Sequence, residues 1–223
     1  MARTTKILVG MASAASLAMA TPAVASPVSA APAPAPATAN QIAGSSLEKL
    51  TPQEVRDLES RFPAQAKRLK ESVARASAAR DAGTESAAPM TSEAGYYKIH
   101  NWNSNKCLAI GSGNTANGAN AIQWDCLADS ASQVWWLEGA HVINYNSGKY
   151  LAIGASSTAN GAEAIQWDYT GSDSQRWYWN GDFIFNGNSG KYLAIGASST
   201  ANGAKAIQWD YTGSTGQAWY VTQ

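Results

Sequence analysis

The chain has 223 residues with 16 basic and 16 acidic side chains, so its formal net charge at pH 7 is zero. A balanced charge gives no overall attraction to nucleic acid or to an anionic membrane surface, and neither is predicted as a partner. Lys and Arg concentrate between residues 40 and 92, whereas the chain after Glu93 is sparsely charged and rich in Trp, Tyr, Gly and Asn. This shift in composition predicts a domain boundary near residue 93.

The first 25 residues have the organisation of a secretory signal peptide. Arg3 and Lys6 precede an apolar stretch over 7–20, and Ala23-Val24-Ala25 supplies the small residues of a cleavage site. The apolar stretch is shorter than the roughly 20 strongly apolar residues of a membrane-spanning helix. We therefore expect a secreted, extracellular protein without membrane insertion.

Residues 26–92 are predicted to form an Ala/Pro linker followed by a helical leader. Alternating Ala and Pro over 26–39 indicates extended chain. Thr51-Pro52-Gln53-Glu54 has the spacing of a capping box, and Pro63 interrupts the helical run. Apolar residues recur at helical spacing at Leu47, Leu50, Val55, Leu58, Phe62, Leu69 and Val73. Two interpretations stay open: a pro-segment cleaved near 84–93, or a spacer that remains attached.

Residues 93–223 consist of three copies of one unit, at about 96–139, 140–181 and 182–223. Short apolar or aromatic runs alternate with turn residues, which predicts four strands in each repeat and twelve in all. In the second repeat these strands are predicted at about 141–145, 150–153, 164–168 and 175–179. Three such units fit an all-β threefold barrel capped by hairpins, a β-trefoil, whereas a propeller typically needs about four blades or more.

An Asn-Gly pair recurs in every repeat, with its asparagine at Asn117, Asn160 or Asn202. Asn-Gly predicts a tight hairpin turn in which both central residues have positive φ. Turn formation is the main interpretation of these asparagines, and contact with a ligand is the second.

The two cysteines, Cys107 and Cys126, favour a disulfide over a metal site in an exported chain. The positions aligned with them in the other repeats are all tyrosine: Tyr150 and Tyr192 for the first, Tyr169 and Tyr211 for the second. We therefore expect a disulfide in the first repeat and a Tyr–Tyr contact at the same place in the other two.

Each repeat closes on a Gln-x-Trp motif, with the residues Gln133 and Trp135, Gln175 and Trp177, and Gln217 and Trp219. With its N-x-x-S-G-K-x-L start and Gly-rich middle, the unit resembles the ricin-type (R-type) β-trefoil lectin family over about 96–221. The resemblance implies a carbohydrate-binding protein, with L-rhamnose, D-galactose or glycans bearing them as expected ligands and hemagglutination as an expected activity. We expect the Gln-x-Trp residues to be structural, with the tryptophans in the core and the glutamines tying backbone across repeats.

The sequence departs from the family pattern at two polar positions. The family's Asp after the Leu of its K-C-L-D motif is replaced by Ala109, Ala152 and Ala194. The family's Asn before the Gln of Gln-x-Trp is replaced by Ser132, Ser174 and Gly216. The galactose-binding geometry of the family therefore cannot be transferred unchanged, and the sites are either silent or hold the sugar with other groups.

A pyranose needs an aromatic plate for its apolar face and hydrogen-bonding groups around its rim. The candidate plates are Trp124, Trp167 and Trp209, and the candidate acceptors beside them are Asp125, Asp168 and Asp210. Further candidates are the three asparagines of the Asn-Gly pairs together with Tyr169 and Tyr211. The alternative is that the tryptophans pack in the core, because regular strand alternation places Ile122 and Trp124 on one side unless a bulge intervenes.

Catalysis is not predicted, since His100 and His141 are isolated and the repeated Asp residues occur singly in each repeat. No motif for a cofactor or metal is present in the sequence. The competing interpretation is a trefoil that binds protein, as an inhibitor or scaffold that has lost sugar binding. We expect a monomer with up to three sites, of which the first is the weakest because that repeat lacks a Tyr at Cys126 and carries one extra residue before Gln133.

Overall fold

The computed structural model describes residues 50–82 and 94–222. The predicted signal peptide, the Ala/Pro linker, the helical position Leu47 and the predicted cleavage region lie outside these residues. Across the described ranges, helices long and apolar enough to cross a bilayer are lacking.

The leader forms two helices, α1 (Pro52–Arg61) and α2 (Pro63–Asp81). The predicted capping box is confirmed: Thr51 Oγ1 accepts from the Glu54 backbone N–H at 3.2 Å, and the Glu54 carboxylate accepts from the Thr51 N–H at 2.9 Å. Pro63 lacks the N–H that would continue α1, so the chain breaks and restarts there, as the sequence predicts.

Each repeat contributes four strands. The first repeat supplies β1 (Gly95–Asn101), β2 (Cys107–Ile110), β3 (Ala121–Trp124) and β4 (Trp135–Glu138). The second supplies β5 (His141–Asn144), β6 (Tyr150–Ile153), β7 (Ala164–Trp167) and β8 (Trp177–Asn180). The third supplies β9 (Phe183–Asn186), β10 (Tyr192–Ile195), β11 (Ala206–Trp209) and β12 (Trp219–Thr222). The strand β8 begins two residues later than predicted, because a 3₁₀ turn over Asp173–Gln175 precedes it.

The strands close around a pseudo-threefold axis. Strand β1 pairs antiparallel with both β4 and β12, so the last strand of the chain returns to the first. The pairs β2–β3, β6–β7 and β10–β11 form three hairpins. Isolated bridges then join the hairpins to one another, at Asn120–Ile165, Glu163–Ile207 and Ile122–Lys205. The predicted β-trefoil is confirmed.

The core contains the three tryptophans of the Gln-x-Trp motifs, Trp135, Trp177 and Trp219, which are fully buried. Each indole N–H donates to a leucine carbonyl of its own repeat, at Leu108, Leu151 and Leu193, over 2.8–2.9 Å. Each bond satisfies a polar group that would otherwise be buried without a partner. The same bond fixes the position of the strand that contains the leucine. The residue after each leucine is the alanine at the family's Asp position, Ala109, Ala152 or Ala194.

The glutamines of the Gln-x-Trp motifs act within their own repeat. Gln133 accepts from the Leu127 N–H at 2.8 Å and donates to the Asp125 carbonyl at 2.7 Å. Gln175 and Gln217 make the equivalent contacts. The expectation that these side chains tie backbone across repeats is therefore wrong, because the segment just before each motif supplies both partners.

Ties across repeats come from a different set of glutamines, Gln123, Gln166 and Gln208, all fully buried. Gln166 donates to the carbonyls of Asn114 and Ala116 in the first repeat, at 2.8 and 3.0 Å. Its carbonyl accepts from the Ser147 hydroxyl at 2.7 Å. Gln123 and Gln208 repeat this pattern, so each repeat holds the long loop of the repeat before it.

The predicted disulfide between Cys107 and Cys126 is confirmed. In the second repeat the rings of Tyr150 and Tyr169 lie 5.1 Å apart at this place. In the third repeat the rings of Tyr192 and Tyr211 lie 4.9 Å apart. Aromatic contact thus replaces the covalent bond, as the alignment of the repeats predicts.

The leader packs on the seam between the first and second repeats. Leu58 and Leu69 are buried in a cluster that includes Tyr96, Ile143 and Tyr150. Polar contacts fix the register of α2: the Ser72 hydroxyl donates to the Gly148 carbonyl at 2.5 Å, and the Tyr150 hydroxyl donates to the Ser72 carbonyl at 2.6 Å.

Two further contacts fit the leader to this seam. A Cβ on Gly148, whose φ is +69°, would lie 3.0 Å from the Arg68 carbonyl oxygen, so the position requires glycine. Arg61 pairs with Asp129 at 2.5 Å, which joins the end of α1 to the first repeat.

Leu69→Asp tests this docking in the intact chain. Removing a buried leucine costs about 2–5 kcal/mol, and burying a carboxylate adds to that cost. We expect α1 and α2 to lose their protection from hydrogen exchange while the trefoil strands keep theirs. Lys67→Asp, on the exposed side of the same helix, is the matched control. Unchanged protection of the helices in Leu69→Asp would show that they do not depend on this contact.

Candidate functional site

One pocket opens on the surface of each repeat, and we number the pockets by repeat. Pocket 1 lies around Ala109, Ile122 and Trp124, pocket 2 around Ala152, Ile165 and Trp167, and pocket 3 around Ala194, Ile207 and Trp209. The Gln of Gln-x-Trp and at least one serine complete each lining. The lining residues carry no charge, and none of them belongs to the leader.

The three candidate plates are on the surface: Trp124, Trp167 and Trp209 are 42%, 42% and 43% exposed. Strand alternation is regular here, since Ala164 and Gln166 point inward whereas Ile165 and Trp167 point outward. The isoleucine and the tryptophan do lie on one side of the strand, but that side faces pocket 2 rather than the core. This placement favours the tryptophan as a ligand plate over the tryptophan as core packing.

The Asn-Gly pair of the preceding repeat supports the edge of each plate. A Cβ on Gly118 would lie 3.6 Å from Trp167 Cζ3, and Gly161 and Gly203 stand in the same relation to the other two plates. Gly118 has a φ of +82°, but Asn117 is not among the positive-φ residues of the described chain. The Ala119 N–H reaches the Ala116 carbonyl at 3.4 Å, which with glycine at the third position is typical of a type II turn. The expectation of two positive φ angles is wrong.

Asn117 also forms hydrogen bonds with the second repeat. Its side chain accepts from the Asp168 backbone N–H at 3.0 Å and donates to the Asp168 carboxylate at 2.8 Å. The other carboxylate oxygen accepts from Lys149 Nζ at 2.5 Å. An amide of the first repeat and an ammonium of the second are therefore held by one carboxylate.

The same arrangement recurs around the axis, with Asp210 between Asn160 and Lys191, and Asp125 between Asn202 and Lys106. We call these nine residues the carboxylate ring. The predicted Asp and Asn candidates are thus brought together with each other rather than with the pockets, whose linings do not include them. A sugar contact by these side chains remains a prediction.

Electrostatics within the ring favour the ionised carboxylates. Hydrogen bonding from Lys149 and then from Asn117 lowers the pKa of Asp168 below its ordinary value. Corresponding bonds from lysine and then asparagine lower the pKa of Asp125 and of Asp210.

The remaining candidates also lie outside the pockets. Tyr169 and Tyr211 contact Tyr150 and Tyr192 as described above. The two histidines are packed on aromatic rings, His141 edge-on to Tyr150 at 5.1 Å and His100 stacked on Tyr220 at 4.8 Å. Burial lowers the pKa of His100 to about 4, so its ring is neutral at pH 7.

The residues that shape the pocket rims are not among those predicted from the sequence. Successive left-handed residues form one side of each pocket, at Ser112 and Gly113, Ala155 and Ser156, and Ala197 and Ser198. Non-glycine residues rarely adopt this conformation unless neighbouring groups hold it. Side-chain amides of asparagines in the following repeat stabilise this conformation. They donate to the backbone carbonyls at 2.8–2.9 Å: Asn146 to Gly113, Asn188 to Ser156 and Asn103 to Ser198.

A second asparagine of the following repeat holds the adjoining segment of the rim. Asn144 donates to the Ser132 carbonyl at 2.9 Å, Asn186 to Ser174 at 2.9 Å and Asn101 to Gly216 at 3.1 Å. Both asparagines belong to an Asn-x-Asn-Ser motif that occurs once in every repeat. The recurrence of this motif in the sequence indicates a structural role, but the sequence alone does not show which loop the motif contacts.

Acid unfolding tests the carboxylate ring. Because the folded pKa values are lowered, the ring contributes stability above the ordinary Asp pKa of about 3.9 and loses it as pH falls through the lowered values. We expect the triple variant Asp125→Asn, Asp168→Asn and Asp210→Asn to have a lower melting temperature at pH 7 and a flatter decline below about pH 4. Asp182→Asn, an exposed carboxylate outside the ring, is the control. An unchanged acid decline in the triple variant would contradict this account.

Comparisons with known proteins agree with this architecture. A profile of the ricin-type beta-trefoil lectin domain matches residues 95–219. The designed 3-fold symmetric protein ThreeFoil is 33% identical, with a TM-score of 0.54 over 57% of this chain and 98% of that chain. The comparison with curated protein sequences gives no match.

Two natural proteins have similar structures. The exo-beta-1,3-galactanase 1,3Gal43A from Clostridium thermocellum is 28% identical, with a TM-score of 0.53 over 60% of this chain but only 31% of its own length. The Rhizoctonia solani agglutinin is 21% identical, with a TM-score of 0.53 over 61% of this chain and 99% of that chain, which concerns the fold alone. Since the profile match spans more than half of the 223 residues, the chain belongs to the ricin-type β-trefoil lectin family, whose members bind carbohydrate.

Proposed function

We propose that the chain is a secreted, non-enzymatic lectin that binds L-rhamnose, D-galactose or glycans bearing them through its three pockets. The observation that carries this proposal is a half-exposed tryptophan repeated three times beside an uncharged pocket. An indole face binds the C–H groups of a pyranose, and the serine hydroxyls of the rim can both donate and accept hydrogen bonds with the sugar.

The pocket floor favours an apolar sugar edge. Ala152 and Ile165 line pocket 2 beside the plate, and Ala152 is at the position where the family pattern has an Asp. L-Rhamnose is a 6-deoxy sugar whose methyl group fits such a surface better than a hydroxymethyl group does, because no hydroxyl is then left without a partner. Of the two sugars, L-rhamnose therefore fits the pocket better.

Three pockets on one rigid body support multivalent binding. The plates are the last residues of β3, β7 and β11, and bridges between these hairpins hold the strands around the axis, so the plates keep constant spacing. Simultaneous engagement of several weak sites raises apparent affinity by about 10²–10⁴ on a surface of many sugars. A monomer with millimolar single-site affinity could therefore agglutinate cells.

A protein-binding scaffold is the alternative. Inhibitors of this shape act through one exposed loop, and such a role would not require the same plate in every repeat. The threefold occurrence of Trp124, Trp167 and Trp209 at matching exposure favours small repeated ligands.

The leader fits the role of a removable pro-segment. It packs on the seam of the first two repeats and lines none of the pockets, so its removal leaves the proposed sugar sites unaltered. We expect the intact mass of the secreted protein to correspond to a chain that starts between 84 and 93. A mass that corresponds to a start at Ser26 would identify the leader as a permanent spacer.

The double variant Trp167→Ala with Trp209→Ala tests the plates. We expect the minimum agglutinating concentration to rise at least about a hundredfold, because two of three sites lose their stacking surface and avidity is lost. The circular dichroism spectrum should stay that of the folded protein, since both side chains are on the surface. Trp102→Ala is the matched control, because Trp102 is 51% exposed but lies outside the pockets. Normal agglutination by the double variant would show that the plates are misassigned.

A further inference from the structure

The three pockets are not equivalent, and they differ at one corner. This corner is formed by the second left-handed residue of the rim and the residue before the Gln of Gln-x-Trp. The two positions are occupied by Gly113 and Ser132 in pocket 1, Ser156 and Ser174 in pocket 2, and Ser198 and Gly216 in pocket 3. Only the second repeat has a serine at both positions.

Cavity size follows this difference. Pocket 2 has a volume of about 200 Å³, whereas pocket 3 has about 430 Å³ and pocket 1 about 510 Å³. The two pockets with a glycine at one of the corner positions are therefore at least twice as large as the pocket with two serines.

In pocket 2 the two serines meet across the corner. Ser156 Oγ donates to Ser174 Oγ at 3.1 Å, and Ser174 Oγ lies 3.0 Å from Ser172 Oγ. Ser174 is 4% exposed, so its hydroxyl is held inside this cluster rather than free to swing outward. The hydrogen-bonded pair closes the corner.

In pocket 3 a single serine occupies the corresponding space. A Cβ placed on Gly216 would lie 2.6 Å from Ser198 Oγ, so the Ser198 hydroxyl stands where a second side chain would be. The backbone on both sides is fixed, by Asn103 at the Ser198 carbonyl and by Asn101 at the Gly216 carbonyl. A serine at this position would make the Ser198 hydroxyl turn aside, and the two side chains would then close the corner as Ser156 and Ser174 do in pocket 2.

We infer that the serine pair Ser156–Ser174 is a size filter that restricts pocket 2 to a terminal, unsubstituted monosaccharide, whereas pockets 1 and 3 admit a sugar that carries a further substituent or a second sugar unit. This inference rests on the proposed sugar-binding function and adds the ligand class of each pocket. Cavities that enclose drug-sized ligands measure about 300–1,000 Å³, a range that includes pockets 1 and 3 but not pocket 2. The protein would thus bind chain ends with one site and substituted residues with the other two.

Two double variants, each of which keeps a single tryptophan plate, isolate one pocket at a time. Trp124→Ala with Trp209→Ala leaves pocket 2, and Trp124→Ala with Trp167→Ala leaves pocket 3. Calorimetry compares L-rhamnose and D-galactose with disaccharides in which a second sugar is joined at each hydroxyl in turn. We expect at least one disaccharide to bind pocket 3 within about threefold of its monosaccharide and pocket 2 at least about tenfold more weakly, a difference of about 1.4 kcal/mol.

The filter residues are then exchanged. Ser174→Gly in the pocket 2 variant should restore binding of that disaccharide, and Gly216→Ser in the pocket 3 variant should abolish it while monosaccharide binding persists. Ser172→Ala removes a hydroxyl of the same cluster without opening the pocket, so it should leave the discrimination unchanged.

The outcomes separate the two proposals. If both single-pocket variants bind monosaccharide but rank all disaccharides alike, or if the exchanges do not alter the ranking, the size filter is overturned and the lectin function stands. If neither variant nor the parent chain binds any sugar, the proposed function fails and the filter fails with it.

Discussion

Closure of the trefoil depends on three buried amides, those of Gln123, Gln166 and Gln208. A buried polar group without a partner costs about 1–3 kcal/mol, so each amide must find its partners inside the protein. Each one accepts from a serine of its own repeat but donates to two carbonyls in the loop of the preceding repeat. A single repeat cannot satisfy its glutamine, and the requirement is met only when three repeats form a closed circle.

Because the inward-facing glutamines join the repeats, the outward face of each hairpin strand stays free for a ligand. On β7, Gln166 points inward to the interface between repeats, whereas Ile165 and Trp167 point outward. The carboxylate ring reinforces closure at the end of the same strands, using Asp168 and its equivalents. Because closure rests on Gln, Asp and Asn, positions such as Ser174 and Gly216 can differ between repeats without disturbing the fold.

Features set by nearby residues could be predicted from the sequence. The four strands of each repeat, the capping box at Thr51, the break at Pro63 and the pairing of Cys107 with Cys126 all follow from local spacing or from alignment of the repeats. Partners of polar side chains could not be predicted, since Asn117 and Asp168 are 51 residues apart and meet only after closure. Regular alternation and a bulge are both compatible with the sequence of β7, because which face of the strand meets the core depends on the neighbouring hairpins rather than on the strand itself.

The Asn-x-Asn-Ser motif shows how the symmetry is broken without loss of the pockets. Its two asparagines fix the rims of the preceding pocket in every repeat, whereas the residue between them differs from repeat to repeat. That residue is Trp102, Tyr145 or Gly187. The Tyr145 hydroxyl donates to the carbonyls of Leu58 and Phe62, at 3.4 and 3.3 Å, and its ring is buried beneath the leader. Gly187 offers neither ring nor hydroxyl, so the third repeat cannot make this contact with the leader although it retains Gly190 and Tyr192 as the equivalents of Gly148 and Tyr150.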